Sequence, residues 1–504
     1  MKNSITLFNT IINLFQQILV IVSALIIPKI ILEYLGSNVN GLVSSISQFL
    51  SYIYLVEGGV TGVITASLYK PLYNKDYDKI SSIFVATKKF YKKIAIIFVI
   101  YTIILASFYP IIFNTDFTYI YVFLLTIILS LNLLIQYLFS LSYKVILLAD
   151  KKNYIVSLTH SLIIIINILL AYLSVSIYPN IHLLKIITSI VYLIQPIIYS
   201  NYVVKHYNLN KKAKTDMSLL KSRWDGLAIN IAMFIHFSTD IVVLTIFTDL
   251  KKVSVYSVFT LVTNGLRQFI AAISSAISPS IGLTYASGNK EAITKKFNTY
   301  EFLIFILSFT IFSVAILLIL PFVMIYTKNV VDNSYYYPVF GVLVVISEFL
   351  YSIYLPHQNL AFAANKFKEM KIPYLIEALL NIIISILLVK NFGLIGVSIG
   401  TIIAMLYGMI YHSILTKKIL DRPISVFYKK IILFLPISLI LMFICYHIGV
   451  VEYNIINWLM YAFIYTIIFT LGNVGVSFIF YKEDLTSILN YLFKIKKRSG
   501  KNGK

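Results

Sequence analysis

The sequence predicts an all-α polytopic membrane protein with about fourteen transmembrane helices. Three observations lead there. Of 504 residues, 59% are hydrophobic and only 12% are charged, a balance that soluble domains do not show. Apolar runs of roughly 20 residues recur from end to end, long enough to cross a bilayer. Runs such as 94–112, 162–173 and 302–326 are apolar on every face, with no alternation of period two. In hydrocarbon only a helix or a closed barrel satisfies its own backbone, and a barrel would alternate, so the runs are helices.

In chain order the expected spans are 8–30, 40–68, 94–113, 118–146, 154–177, 181–203, 225–247, 254–286, 299–326, 337–362, 372–390, 392–415, 430–449 and 456–480. The first run lacks a small-residue cleavage site and is long enough to span, so it is expected to be a retained helix and not a signal peptide. Cys445 is the single cysteine and lies inside an apolar run, which leaves no disulfide framework and no thiolate metal cluster. No His and Glu spacing suits a metal, and no cofactor motif appears.

Charge orients these spans. The net charge of +22 would suggest nucleic acid in a soluble chain, but here the basic residues sit in short loops between apolar runs. With the N-terminus placed inside, about 35 Lys and Arg fall on inner segments and about six on outer ones. Both termini are therefore expected in the cytoplasm, with the inner loops and the 482–504 tail facing anionic lipid headgroups.

The sequence also repeats. Residues 39–69 lie over 255–285 at a shift of about 216. Gly58, Gly59 and Gly62 then fall on Ser274, Ser275 and Ser278, and Tyr69 falls on Tyr285. At nearly the same shift Ala149, Asp150 and Lys151 fall on Ala364, Asn365 and Lys366, each followed by an apolar helix with a central Asn, Asn167 or Asn381. An even number of helices per copy relates the two by an axis along the membrane normal. The expected organisation is an N-terminal lobe over 1–205, a C-terminal lobe over 206–420, helices 13 and 14 over 421–481, and a basic tail. Two pseudo-symmetric six-helix lobes would then face a central cavity.

Ionisable groups deep in a span cost roughly 2.5–3.5 kcal/mol each, so each is a candidate for lining a polar path. Glu57, His236, Asp240, Arg267 and Glu348 are the clearest; Lys29, Lys144, His160, Lys185, His357 and Glu377 sit nearer span ends, where snorkelling accounts for them. His236 and Asp240 are four apart and share a helical face. Glu57 and His236 lie at matching depths of roughly 16 Å, so Glu57, His236 and Asp240, with Glu348, are ion-coupling candidates. The alternative at each is a structural polar contact. Arg267 carries a permanent charge suited to a phosphate or diphosphate, or else pairs with one of the acids. Gly58, Gly59, Gly62 and Pro279 are gate or hinge candidates, with static close packing as the alternative.

Tyr34 to Ser37, Asn40 to Leu42, Tyr52 to Gly59 and Ala66 to Pro71 together resemble the helix 1–2 region of Wzx-type polysaccharide flippases in the MATE-like (MOP) superfamily. The similarity is to the Gram-positive capsule-cluster type. Beyond this early motif it rests on hydropathy and spacing through all fourteen spans. The resemblance implies a plasma-membrane protein moving undecaprenyl-diphosphate-linked oligosaccharide from the inner to the outer leaflet by alternating access. It implies a cationic path, for which Arg267, with Lys29, Lys144 and Lys185 at the periphery, are the substrate-binding candidates. A polysaccharide polymerase and ligase are candidate partners. Two other readings compete. A polytopic polymerase or glycosyltransferase would need a sizeable outer loop, and the outer loops here are short. A MATE-like drug or toxin exporter would normally stop at twelve spans.

Overall fold

The computed structural model describes residues 2–57, 60–113, 116–210, 213, 227–449 and 453–487. Gly58, Gly59, the 214–226 stretch and the basic residues from 488 onward lie outside the described residues. The described chain is helical throughout, with no strand, as the apolar runs predict. In order the helices are α1 Lys2–Ser51, α2 Ile53–Glu57, α3 Val60–Asn74, α4 Tyr77–Ile112, α5 Tyr119–Ile135, α6 Leu141–Ala149, α7 Asn153–Ile177, α8 Ile181–Val191 and α9 Ile194–His206. They continue as α10 Leu227–Phe247, α11 Leu250–Ala286, α12 Lys290–Tyr326, α13 Pro338–Ala363, α14 Phe367–Phe392, α15 Leu394–Leu420, α16 Ser425–Ile448 and α17 Ile455–Phe480. A π-helical turn, Gln136–Ser140, joins α5 to α6.

Twelve of the described segments are long and apolar enough to cross a membrane. One of them, Ile11–Glu57, has 47 residues, which at 1.5 Å per residue is about 70 Å, over twice the hydrocarbon thickness. It therefore holds two of the expected spans. Gly36 separates them: its φ of 85° is a left-handed value that breaks the helical hydrogen bonding inside α1. Ile231–Phe247 is apolar but shorter than the rest. Apolar side chains such as Ile96, Ile100, Ile103 and Ile104 of α4 stand exposed, while Phe98 and Ala106 of the same helix are fully buried. So broad an apolar exterior requires lipid as its solvent.

The chain divides into two compact units: Met1–Ser257 with Asn329–Asn333, and Val258–Lys328 with Ser334–Lys504. In the first, α1 and α7 are laced by polar side chains at helical spacing. Asn9 Oδ1 accepts from the Tyr154 backbone N–H, the Ser157 hydroxyl donates to Asn13, and Gln16 meets His160 Nδ1 at 3.0 Å. Further along α1, Asn40 donates to Ser254 and Ser257, and Ser45 joins Thr245 and Tyr109. Gly41 passes so close to α11 that an added Cβ would fall 1.9 Å from the Leu250 carbonyl oxygen. After the Gly36 break, Asp332 accepts from the Ser37 backbone N–H and hydroxyl, both at 2.8 Å, and so caps the resumed helix from a distant loop.

The second unit is built on α15, which lies along α14 and α13. Gly396 and Gly400 let α14 approach it closely: a Cβ would fall 2.6 Å from Leu388 backbone in one case and 2.3 Å from Ser385 Oγ in the other. Phe302, Phe305, Phe309, Phe427 and Phe434 join α12 to α16 in an aromatic core, and Tyr481, just past α17, packs on Phe302 and Phe434.

The internal repeat is legible in the turns. Lys151 and Asn365 both take left-handed φ, 60° and 58°. Around them the backbone bonds correspond one for one: Asp150, Lys151 and Lys152 donate to Ile146, Leu148 and Leu147, as Ala364, Asn365 and Lys366 donate to Leu360, Phe362 and Ala361. This sets Lys151 on Asn365, one residue from the sequence alignment, because the left-handed position and not the residue type fixes the register. At the resulting shift of about 214, Asn167 falls on Asn381. Asp76 and Asn289 likewise each cap the next helix through a backbone N–H three residues on.

Candidate functional site

The first unit collects ionisable groups around Glu57, the last residue of α2. The Thr61 hydroxyl donates to Glu57 Oε1 at 2.5 Å and the Tyr137 phenol to Oε2 at 3.2 Å. Thr61 also meets the Tyr91 hydroxyl at 2.7 Å. Tyr137 stands on the π-helical turn, where the extra residue rotates the helix face. Lys144 of α6 is half-buried and within electrostatic reach of both Glu57 and His160. His160 is in turn the partner of Gln16. Glu57 thus sits in a network of hydroxyls and phenols, and Gln16 and His160 form a separate polar contact between α1 and α7.

His236 and Asp240 also belong to this unit, on α10, and both are buried. The Tyr256 phenol donates to Asp240 Oδ2 at 2.8 Å, and the His236 ring lies edge-on to Phe237. α10 approaches α2 beside this network, with the Phe234 ring edge-on to Tyr52. The carboxylate of Glu57 is taken up by Thr61 and Tyr137, and that of Asp240 by Tyr256. Lys29 lies 3.8 Å from Glu33 in a half-exposed pair on α1, and Lys185 is half-buried near the start of α8. A methyl added at Gly62 would meet no atom within 4 Å, so close packing does not require its lack of a side chain.

In the second unit Arg267 of α11 lies 3.5 Å from Glu348 of α13, donates to Asn264 at 2.8 Å, and stands 5.9 Å from the Tyr351 ring centroid. The pair is mostly but not wholly buried, with the side chains 21% and 12% exposed. A guanidinium held by a carboxylate, an amide and an aromatic face keeps its planar fork oriented. Pro279 lies inside α11 and leaves the Ser275 carbonyl, four residues back, without its helical donor, while Lys296 donates to the Ser280 carbonyl at 3.0 Å and, one turn on, to the Thr284 hydroxyl at 2.8 Å.

The most heavily charged cluster was not singled out from sequence. Glu301 of α12 is fully buried and accepts from Arg422 through both oxygens, at 2.6 and 3.0 Å, and from Lys430 at 2.7 Å. His357 Nε2 lies 3.0 Å from the same carboxylate, and Asn298 receives a further bond from Arg422. On α14, Glu377 is buried and receives the phenol of Tyr354, one turn from His357 on α13, at 3.1 Å. The signal that could have found these groups is that His357 and Glu377 each interrupt an apolar run. Snorkelling or loop placement is the cheaper account of each alone, Lys430 reads as the end of a basic inner segment, and their long-range partners are not visible locally.

No family model and no curated protein sequence matches the chain. Among solved structures it is similar to a lipid II flippase, MurJ, in an inward closed conformation: 18% identity, 95% of this chain against 99% of that one, TM-score 0.71. It is also similar to an inward-facing multidrug resistance MATE transporter of the MOP superfamily, at 15% identity, 83% and 99% coverage and TM-score 0.61. A third likeness is to the eukaryotic MATE transporter AtDTX14, at 15% identity, 85% and 98% coverage and TM-score 0.58. The chain therefore has the all-α membrane fold of these transporters.

Proposed function

We propose that this chain is a flippase, and not an enzyme, that carries undecaprenyl-diphosphate-linked oligosaccharide units from the cytoplasmic to the outer leaflet of a bacterial plasma membrane by alternating access. One observation carries the reading. A lipid II flippase is matched over 99% of its length by 95% of this chain, whereas the MATE transporter, matched equally fully, accounts for 83%. The difference points to the flippase branch, because the share left over in the MATE comparison is about the size of residues 421–504, which hold α16, α17 and the tail. Capsule or related polysaccharide assembly is the expected setting, with a polymerase and ligase acting on the product.

Arg267 is the proposed diphosphate contact. A guanidinium paired with one carboxylate, Glu348, through a single 3.5 Å contact keeps donors for a phosphate oxygen. Lys144 and Lys185 extend the positive character in the other unit, and Lys29 serves from its periphery. An apolar recess of about 240 Å³ in the second unit, between α11, α12 and α17 and floored by Phe322 and Trp458, has the chemistry to hold part of an isoprenoid chain. Glu57, His236, Asp240 and Glu348 are the proposed ion-coupling groups. Gly62 and Pro279, with Gly58 and Gly59, are the proposed hinge positions.

The test is loss of the protein in its own host followed by analysis of lipid-linked intermediates. Complete, unpolymerised units confined to the cytoplasmic leaflet support flipping. Units accessible from outside refute it, and a loss of drug efflux with normal intermediates favours the MATE-like exporter. Arg267→Lys separates the site from the fold, since full transport with Lys would remove the case for bidentate recognition.

A further inference from the structure

In the second unit the buried titratable groups are graded by depth. A polar recess of about 780 Å³ opens between the start of α12 and residues 483–487, lined by Lys290, Lys295, Asn298, Glu483 and Asp484. Charge bias assigns this end to the cytoplasm. Asn298, on the recess wall, accepts from Arg422, and Arg422 grips Glu301. Glu301 meets His357 Nε2 at 3.0 Å, and His357 Nδ1 meets the Thr416 hydroxyl at 2.8 Å. His357 stands about 9 Å from the end of α13, and His412 about 12 Å from the end of α15. His412 lies one turn before Thr416 on α15, so the two histidines sit on adjoining turns of packed helices. The His412 ring stacks on Tyr354, 5.4 Å between centroids and 10° between planes, and also faces Tyr374. Tyr354 then donates to Glu377, about 15 Å into α14.

We infer that Glu377 is a proton-binding site of the second unit, loaded from the cytoplasmic end through His357 and His412. The inference deepens the transport reading by naming an ion and the group that carries it.

Two buried carboxylates of the second unit have opposite settings. Glu301 on α12 is gripped by Arg422 and Lys430 through both its oxygens and serves as a fixed anchor beside His357. The Tyr354 phenol reaches Glu377 from α13, and Tyr374 stands one turn away on the same helix as Glu377. Gly408 leaves the carboxylate room on the α15 side: a Cβ there would fall 2.9 Å from Glu377 Oε2. A carboxyl met by a phenol keeps a hydrogen bond in either protonation state, as acceptor when ionised and through its own O–H when neutral. His412 is 1% exposed, and its Nδ1 has no hydrogen-bond partner among the described residues, so the ring can accept a proton without breaking a bond. In the loading step a proton leaves water at the recess, is held in turn by an imidazole of His357 and of His412, and ends on a Glu377 oxygen. The carboxylate becomes a carboxylic acid and each imidazole returns to neutral. Tyr351 is the link to the candidate substrate site: its ring packs edge-on to Tyr354, 5.5 Å between centroids, and lies 5.9 Å from the Arg267 guanidinium.

The experiment is pH-difference infrared spectroscopy on the full chain in lipid nanodiscs, in H₂O and D₂O, with no transport substrate. The expected result is a carboxylic-acid C=O band that appears as pH falls, is lost in Glu377→Gln, and shifts in frequency in Tyr354→Phe. A band that persists unchanged in Glu377→Gln, or no titrating band in the native chain, overturns the inference. Tyr354→Phe keeps the test open if Glu377→Gln fails to fold, since an unshifted band there also overturns it. His412→Asn should slow the appearance of the band several-fold after a pH jump, and an unchanged rate removes His412 from the path. Because the measurement needs no lipid-linked glycan, its outcome is independent of the leaflet assay that tests the flippase reading.

Discussion

Replacing Glu301 by Gln keeps the shape of the side chain and removes its charge, so it isolates what one buried anion does for the second unit. Three charge-assisted bonds at 2.6, 2.7 and 3.0 Å lose their anionic acceptor. Arg422 and Lys430, 6% and 1% exposed, then face a neutral amide with no route to water. Desolvated cations that lose their counter-charge typically cost 3–5 kcal/mol, well above the median of about 1 kcal/mol or less for a surface pair. For a unit of this size each kcal/mol moves the midpoint by about 2–4 °C, so the apparent Tm should fall by roughly 6–20 °C. The assay is a thermal scan of the purified full chain in detergent, read by intrinsic fluorescence, at matched detergent and protein concentration. Adding Lys430→Met to Glu301→Gln should recover part of the loss, because one stranded cation is gone. A drop of less than about 2 °C for Glu301→Gln, or a double variant whose loss is the sum of the singles, would refute the claim that these charges hold the unit together.

Further outcomes follow from the close packing and the caps. Gly400→Val should destabilise by about 1–3 kcal/mol through its clash with Ser385, whereas Gly62→Ala, which meets nothing, should be neutral or slightly stabilising; parallel thermal scans separate the two. Asp332→Ala removes both bonds to Ser37 and should cost about 1–2 kcal/mol, with faster hydrogen exchange at the amides of residues 37–40 as the local readout. Burial pushes the Asp484 carboxyl above its usual range, with Lys430 opposing. A raised acid contributes most while protonated, and that contribution is lost as pH rises through the raised value. Asp484→Asn should therefore flatten the pH dependence of Tm as pH rises above the usual carboxylate range and be neutral or stabilising on the alkaline side of it.

The sequence made the helices legible because lipid leaves a chain so few choices. Hydropathy alone located the spans, and where the helical segment Ile11–Glu57 runs through two of them, Gly36, a glycine at a left-handed φ, divides it. What hydropathy could not supply is which side chains meet. Glu301 lies 121 residues from Arg422 and 129 from Lys430, so no spacing rule connects them. Arg267 and Glu348 were each legible as mid-span charges, but their pairing needed α11 and α13 to be set side by side. The depth argument that grouped Glu57 with His236 and Asp240 used distance along the helix only. The hydrogen bonds depend on which way each helix faces, and they give Glu57 to Thr61 and Tyr137 and Asp240 to Tyr256.

The repeat explains why the two units can share a scaffold and differ in charge. At the shift of about 214 that the turns define, Tyr137 falls on Tyr351. Each phenol faces the mid-span charge of its own unit: Tyr137 donates to Glu57, and Tyr351 presents its ring to Arg267. The position is therefore held by the same aromatic while the charge before it is an anion in one unit and a cation in the other. A phenol serves both, because its hydroxyl hydrogen-bonds a carboxylate and its ring face attracts a guanidinium. Arg267 in turn lies against Glu348, 3.5 Å away. Exchanging Tyr351 for Phe keeps the ring and removes the hydroxyl. It should leave the Arg267 contact intact and disturb Glu377, whereas Tyr137→Phe should act directly on Glu57.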